Sequence, residues 1–491
     1  MRLKNPVLKK YGFFPHYLFL FFVTLFVRFP FFFRDYIDRD ESTFILIGKS
    51  ITDGHLPYDF LWDLKPPLLF YIFGLVEYIF PHSLIAIRFF GVLIIFLSAV
   101  FLVQIARIAG IKNGFLIALS YILLSSLFGS IQGVMSEHLA VFFILPGLIF
   151  FLKNKTPANL FLAGILFSCA MLCKINYAYA ILALLIYYFI SNIKLQGFPT
   201  LAKNIFLIII GIAIPFFLIS IPFIVKQKLT LFINSVFMAT LEYGHTMQYT
   251  ILQKLATALW IILLGLAISF LALRSSKNEN RNFTWVCVSI LLGTIFSFYS
   301  SGSINGHYYI RVFPFISLLV LGIIIKKEFN PGFAGLSLFV LLISIESIIE
   351  YYRLANHYAQ NSRLYNGNTF RVINELKSRQ LDNKKIFFAD YHIGYWFLHQ
   401  YPLTKSTTHP SSLSRPFFFK HFGNYRSSLE ELKYIMDTIK PEIVVSRNSR
   451  LDFFPEKSYE NLYFDSTIAN HFNIIYKKPD KHIFIWQRKE Y

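Results

Sequence analysis

Charge is scarce in this 491-residue chain. Asp, Glu, Lys and Arg together make up 15%, where a soluble globular domain carries about a quarter. With 55% hydrophobic residues, 57 Phe and 29 Tyr, and a mean hydropathy of +0.52, that scarcity excludes a string of soluble domains and a disordered chain alike. Cysteine is rarer still. Cys169, Cys173 and Cys287 all lie in apolar runs; the first two share a helical face and read as packing residues rather than a redox pair. Internal repeats and low-complexity tracts are also missing. Most of the chain is expected in lipid. Acidic residues are the scarcer sign, giving a net charge of +20. In a soluble protein that would suggest nucleic acid; in a membrane protein the bases must first be mapped to one side.

The first apolar run, Phe14 to Phe33, follows Arg2, Lys4, Lys9 and Lys10 and reads as an uncleaved anchor with a cytoplasmic N-terminus. Further runs at about 84–107, 115–130, 132–152, 157–173, 175–192, 204–225, 255–273, 284–300, 308–325 and 331–350 approach the ~20 residues that a spanning helix needs. Eleven crossings put basic residues in every inner connection: Arg107 and Lys112, Lys153 and Lys155, Lys194 and Lys203, Arg274, Lys277 and Arg281, then Lys326 and Lys327. The first outer segment is the reverse, with Asp35, Asp38, Asp40, Glu41, Asp53, Asp59, Asp63 and Glu77. The basic excess is therefore mostly topogenic, and nucleic acid is not an expected partner.

Two segments are left outside the bilayer. Residues 34–83 form a long loop whose run from Pro66 to Phe80 suits an interfacial or re-entrant helix. Residues 351–491 change composition and read as a small soluble α/β domain, with helical patterns at Thr369–Arg379 and Ser428–Lys440. Strand-like runs occur at Lys385–Ala389, Glu442–Ser446, Phe472–Tyr476 and His482–Trp486. That domain has no cysteine and no glycine-rich phosphate loop, so nothing marks a nucleotide site. Asp390 and His392 read as surface residues.

The chemistry-bearing residues gather in the first loop. Arg34 to Ser42 contains Asp38, Asp40 and Glu41; Gly54-His-Leu-Pro-Tyr58 and Trp62-Asp-Leu-Lys65-Pro-Pro-Leu follow. Clustered carboxylates at a low-dielectric boundary can act as general bases or hold a divalent metal ion; a solvated, topology-setting acidic loop is the plainer alternative. The order Asp-Glu, Gly-x-x-Pro-Tyr, Trp-Asp-x-Lys-Pro-Pro-Leu resembles the first extracytoplasmic loop of polytopic, lipid-phosphate-dependent glycosyltransferases. It is similar to bacterial relatives of the protein O-mannosyltransferases and of the lipid A aminoarabinose and galacturonic acid transferases, which share the GT-C fold. Arg88, Ser136-Glu137-His138, Leu172-Cys-Lys174 and His307-Tyr308-Tyr309 followed by Pro314 resemble later parts of the same pattern.

The resemblance implies an all-α polytopic membrane domain over residues 1–350, with loop 34–83 catalytic, and an extracytoplasmic α/β domain over 351–491. It also implies an inverting transfer on the outer face of a bacterial inner membrane. A sugar would pass from a polyprenyl (undecaprenyl) phosphate donor to a hydroxyl of lipid A, a glycan or a protein. Asp40 aligns with the family's base and Glu41 would support it; Lys65, Arg88 and Lys174 would contact the donor phosphate. Asp38, Tyr58, Glu137, His138, His307, Tyr308 and Arg311 would line the substrate site. Where some aminoarabinose transferases carry Arg this chain has Thr43, so Arg34, Arg39 or Arg88 would have to replace that contact.

Blander readings stand beside these. Arg88 and Arg311 can snorkel, Glu137 and His138 can cap a helix, and His307 and Tyr308 can belong to an aromatic belt. Lys174 is harder to explain by topology, because it interrupts an apolar stretch on the outer side. The rival functions are a transporter or flippase of lipid-linked glycans, a membrane scaffold whose outer domain binds a partner, and an O-antigen ligase or polymerase. A transporter would show internal repeats and midplane charges.

Overall fold

The computed structural model describes residues 14–246, 250–301, 304–325 and 330–490. The topogenic bases Arg2, Lys4, Lys9, Lys10, Lys326 and Lys327 lie outside them. Helix α1 (Phe14–Arg28) runs into a short 3₁₀ turn at Phe29–Phe33, where Pro30 removes a ladder donor. The long loop that follows folds as a helical hairpin. Its arms are α2 (Arg39–Thr52) and α3 (Pro67–Ile79), and α4 (Leu84–Ile108) then crosses.

Among the described residues six helices are long and apolar enough to span a bilayer: Pro15–Phe33, Leu84–Ile108, Tyr177–Gln196, Phe198–Val225, Ala258–Ser275 and Asn278–Ser301. The bent pair Gly332–Leu342 and Ile345–Asn361, kinked by 71°, would make a seventh. Four more of the expected runs are shorter helices. The run at 115–130 is helical only over Gly114–Leu124, and 132–152 starts its helix at Ser136. The 157–173 run gives Pro157–Cys173, while 308–325 is broken into Gly306–Arg311, Phe313–Ser317 and Leu318–Ile324. Helix length alone therefore does not carry a count of eleven. The composition break near 350 falls inside Ile345–Asn361, so the helix continues past it.

The C-terminal residues form a mixed four-stranded sheet: β1 (Ile386–Phe388), β2 (Ile443–Ser446), β3 (Phe472–Lys478) and β4 (Ile483–Arg488). The order is β1-β2-β4-β3, with β1 and β2 parallel and the other pairs antiparallel. Phe387 faces Val444, and Val444 faces Trp486. β1 and β2 are buried along their length, as their continuous apolar sequence requires. The four strand-like runs and both helical patterns seen in the sequence are present; the helix Tyr459–His471 was not foreseen. Asp390 and His392 are corrected here. Both are buried, because the turn after β1 is covered by the first loop.

Backbone approach sets the angle of the loop hairpin. Pro66 is extended and Pro67 starts α3 at its first position, where a missing N–H costs nothing. Gly48 on α2 then lies against Gly74 on α3, and a Cβ at Gly48 would stand 2.9 Å from the Gly74 nitrogen. Gly48→Ala is expected to cost about 1–3 kcal/mol through overpacking, read as a lower unfolding temperature in detergent. An unchanged temperature would mean that the two helices are not held in contact.

Candidate active site

The loop hairpin, the segment Lys174–Tyr179, the turn Asn305–Tyr308 and the segment His409–Phe418 of the sheet domain enclose a cavity of about 880 Å³. Asp40 lines it because of how α2 begins. Asp38 is the N-cap, its side chain accepting a hydrogen bond from the Asp40 N–H at 2.9 Å, an arrangement that short carboxylates favour. This puts Asp40 in the first turn, with a positive helix end beneath it.

Each carboxylate oxygen of Asp40 faces a cationic or N–H group. Oδ2 is 3.0 Å from Lys65 Nζ and 3.9 Å from His307 Nε2; Oδ1 is 3.3 Å from His409 Nε2. Burial alone would raise the Asp40 carboxyl, but Lys65 and the two histidines outweigh it and hold it well below the usual carboxylate range. The neighbouring Asp38 goes the other way. Burial, and then the charge of Asp40, push it up to about 6. Two adjacent carboxyls thus differ in proton affinity, a common arrangement at catalytic sites.

Lys65 is held from both ends. Its ammonium lies 3.5 Å from Asp63 Oδ2, and its carbonyl accepts a 2.7 Å hydrogen bond from the Tyr58 hydroxyl. Tyr58 is fully buried at φ 69 and does not reach the cavity. Tyr58, expected to line the substrate site, stands behind Lys65 instead. Among the described residues no three His, Cys, Asp or Glu side chains are placed to hold a metal ion. Lys65 Nζ fills the space between Asp40 and Asp63 that a divalent cation would need.

Of the residues expected to form the site, Asp38, Asp40, Lys65, Lys174, His307 and Tyr308 line the cavity. Lys174 sits between Glu137 at 2.7 Å and the face of Tyr308 at 4.8 Å. The others do not line the cavity. Glu41 and Arg88 are buried against each other at 2.6 Å, and Glu41 also accepts from the Val134 N–H at 2.6 Å. Neither reaches the cavity, and Arg88 does not snorkel. Glu137 is sealed behind Lys174. His138 caps the helix Ser136–Leu152, its Nδ1 accepting from the Met135 N–H at 3.2 Å. Arg311 is buried, donating to Ser297 Oγ at 3.0 Å beneath the Phe298 ring.

Among the substitutes for the Thr43 position, Arg34 is paired with Glu350 at 2.6 Å. Arg39 does line the cavity, its guanidinium 4.6 Å over Phe453. Thr43 itself bonds His392 Nε2 at 3.1 Å and donates to the Thr408 carbonyl at 3.3 Å. Sequence reasoning missed His409 and Arg415, both from the sheet domain, and gave Asp63 no role. The motif did point to Asp63; His409 had only its place in a polar run to mark it.

Residues 64–223 match the sequence model of the dolichyl-phosphate-mannose-protein mannosyltransferase family. No curated protein matches the chain. Among solved structures, the oligosaccharyltransferase of Archaeoglobus fulgidus in the apo form is similar at a TM-score of 0.49 and 12% identity, over 99% of this chain and 76% of that one. The archaeal oligosaccharyltransferase AglB of the same organism, in complex with an inhibitory peptide and a dolichol-phosphate, gives 0.42 and 12%, over 98% and 75%.

The Glu41–Arg88 contact should be structural if its burial governs its energy. Arg88→Met leaves a buried carboxylate without its partner and is expected to cost about 3–5 kcal/mol, read as loss of folded protein on size exclusion and a lower unfolding temperature. Glu41→Gln added to Arg88→Met should recover part of that loss. A well-folded Arg88→Met protein that fails only in donor binding would return Arg88 to the substrate site.

The resemblance read from the first loop is supported over the matched stretch, which starts one residue before Lys65 and takes in Arg88, Glu137, His138 and Lys174: across residues 64–223 the chain is similar to the GT-C mannosyltransferases.

Proposed function

We propose that the protein is an inverting glycosyltransferase that moves a sugar from a polyprenyl phosphate to a hydroxyl of a glycan, protein or lipid A acceptor. The observation that carries this reading is Asp40 at 3.0 Å from Lys65 in a cavity lined by both. A base and a phosphate-binding cation are what such a transfer requires. The acceptor oxygen forms a bond to the anomeric carbon, and the bond from that carbon to the phosphate oxygen breaks. Asp40 takes the hydroxyl proton. The phosphate leaves as an anion, which Lys65 and Lys174 would stabilise where charge develops; no strong general acid is then needed.

The match to a mannosyltransferase family supports glycosyl transfer, and the placement of ionisable groups in one enclosed cavity favours it over a transporter. In this reading the cavity and the sheet domain face away from the cytoplasm, in a multi-pass protein of the bacterial inner membrane. The basic connections Arg107–Lys112 and Lys153–Lys155 lie on the opposite side. Cysteine labelling checks the orientation. Tyr425 is 86% exposed, and Tyr425→Cys should react with a membrane-impermeant thiol reagent in intact spheroplasts. Reaction only after lysis would reverse the topology.

Purified protein supplied with a polyprenyl-phosphate sugar and acceptor tests the chemistry. A transferase consumes donor; a flippase does not. Asp40→Asn keeps the shape but removes basicity, so turnover should fall by ~10²–10⁴-fold while the protein still folds. Lys65→Ala should weaken the donor step by about ten- to over a hundredfold, with partial recovery in Lys65→Arg and none in Lys65→Met. Normal turnover in Asp40→Asn would move the base to Asp38.

A further inference from the structure

The sheet domain contributes to the centre of the cavity, and its contribution is more specific than a wall. His409 sits on the turn after the short helix Lys405–Thr407 and is buried. Its Nδ1 receives the backbone N–H of Ser411 at 3.2 Å, and Ser411 Oγ lies 2.8 Å from the same atom. A backbone N–H can only donate, so Nδ1 is the unprotonated nitrogen and Nε2 carries the hydrogen. Nε2 lies 3.3 Å from Asp40 Oδ1, and hydrogen bonding by His409 helps to lower the Asp40 carboxyl.

We infer that His409 is a positioning residue for the catalytic base: an imidazole whose Nδ1 is engaged by Ser411, so that Nε2 is the nitrogen turned to one oxygen of Asp40 and fixes the direction of its lone pairs. This rests on the reading of Asp40 as the base. The other groups facing Asp40 are Lys65 and His307 on Oδ2, with Asp38 beside it and Asp63 behind Lys65. None of these faces Oδ1. The His392 ring is 6.1 Å from the His409 ring but spends its Nε2 on Thr43 and the Arg39 carbonyl, so it does not compete for Asp40. Among the described residues, removing His409 therefore leaves no other ion-pair partner at Oδ1, while Lys65 still faces Oδ2. A carboxylate held at one oxygen is free to turn about its own axis, and the hydroxyl it must meet then finds it misaligned.

The role predicts more than lost activity. In the full-length protein with a polyprenyl-phosphate sugar, His409→Ala should lower kcat by about ten- to a hundredfold and leave the KM for donor unchanged, since the donor's phosphate is held elsewhere. A hydrogen bond to the ionised carboxyl lowers its proton affinity, so the acid limb of the pH–rate profile should move to higher pH in His409→Ala. His409→Gln, whose amide N–H can reach the same oxygen, should restore much of kcat and return the limb. Asp40→Asn, assayed in parallel, separates the two readings. If Asp40→Asn turns over normally, the base assignment itself fails. If Asp40→Asn is impaired but His409→Ala matches the unaltered protein in kcat and acid limb, the positioning role alone is overturned. It is equally overturned if His409→Ala is slow with an unmoved limb and His409→Gln is no better, because that pattern belongs to a packing residue.

Discussion

The ion pair between Asp40 and Lys65 is the contact on which the arrangement of the loop depends. Both side chains are mostly buried at the cavity wall, and a largely desolvated charge pair is stable only when its remaining valences are satisfied. The chain meets that demand from four directions: Asp63 on the far side of Lys65, Tyr58 behind its carbonyl, and His307 and His409 on Asp40. They come from three places: the α2–α3 connection, the turn at Gly306–Arg311 and the C-terminal segment at His409. Placing Asp40 against Lys65 therefore fixes where the loop hairpin, the turn at Gly306–Arg311 and the sheet domain must meet.

Around this pair lies a second shell of buried charge that never reaches the cavity. Arg28, at the end of α1, donates to the carbonyls of Ser125, Ile131, Gln132 and Gly133. The next residue in that segment, Val134, gives its N–H to Glu41, and Glu41 is paired with Arg88. Gly133 is part of the same fit, since a Cβ there would stand 3.1 Å from the Glu41 carboxyl. A guanidinium with several donors suits a segment that turns between helices and leaves its carbonyls unpaired. Buried in the protein, such groups have no water to fall back on. The charges near Asp40 that looked catalytic by their rarity in apolar sequence are in part the means by which irregular backbone is tolerated at that depth.

That explains what could and could not be read from the sequence. The sheet strands were legible because each is a short apolar run between turn residues, and the helix α3 because Pro66-Pro67 opens it. Asp40 and Lys65 were legible as members of one loop motif. Arg88, Glu137 and Arg311 were found as unusual residues, but their partners lie on other helices and spacing gives no access to them. Glu41 follows Asp40 directly, yet on a helix adjacent residues point 100° apart: one faces the cavity and the other Arg88. His409 lies in the run Thr407-Thr-His-Pro-Ser-Ser, far from the loop motif in the sequence. Only the fold of the sheet domain over α2 brings it to Asp40. The long apolar run at 308–325 hid its break for the opposite reason, since hydropathy reports burial and is blind to a change of helix type.

The same contacts make the sheet domain part of the site rather than an appendage. Its first residues grip the start of the loop: Asp35 accepts from the Thr369 N–H at 2.5 Å, and its own N–H donates to the Asn366 carbonyl at 3.1 Å. In the middle, Thr43 and Trp62 both bond Thr408, one residue before His409. At the far end Trp396 donates to Glu77 on α3 at 3.2 Å. A loop of fifty residues pinned only at its termini would sample many conformations, and the cost of ordering it would fall on every catalytic encounter. Pinned also at Asp35, Thr43, Trp62 and Glu77, it is ordered when the protein folds. The ordering cost is then met once, by these contacts with the C-terminal sheet region, and the geometry of Asp40 and Lys65 is set before any substrate arrives.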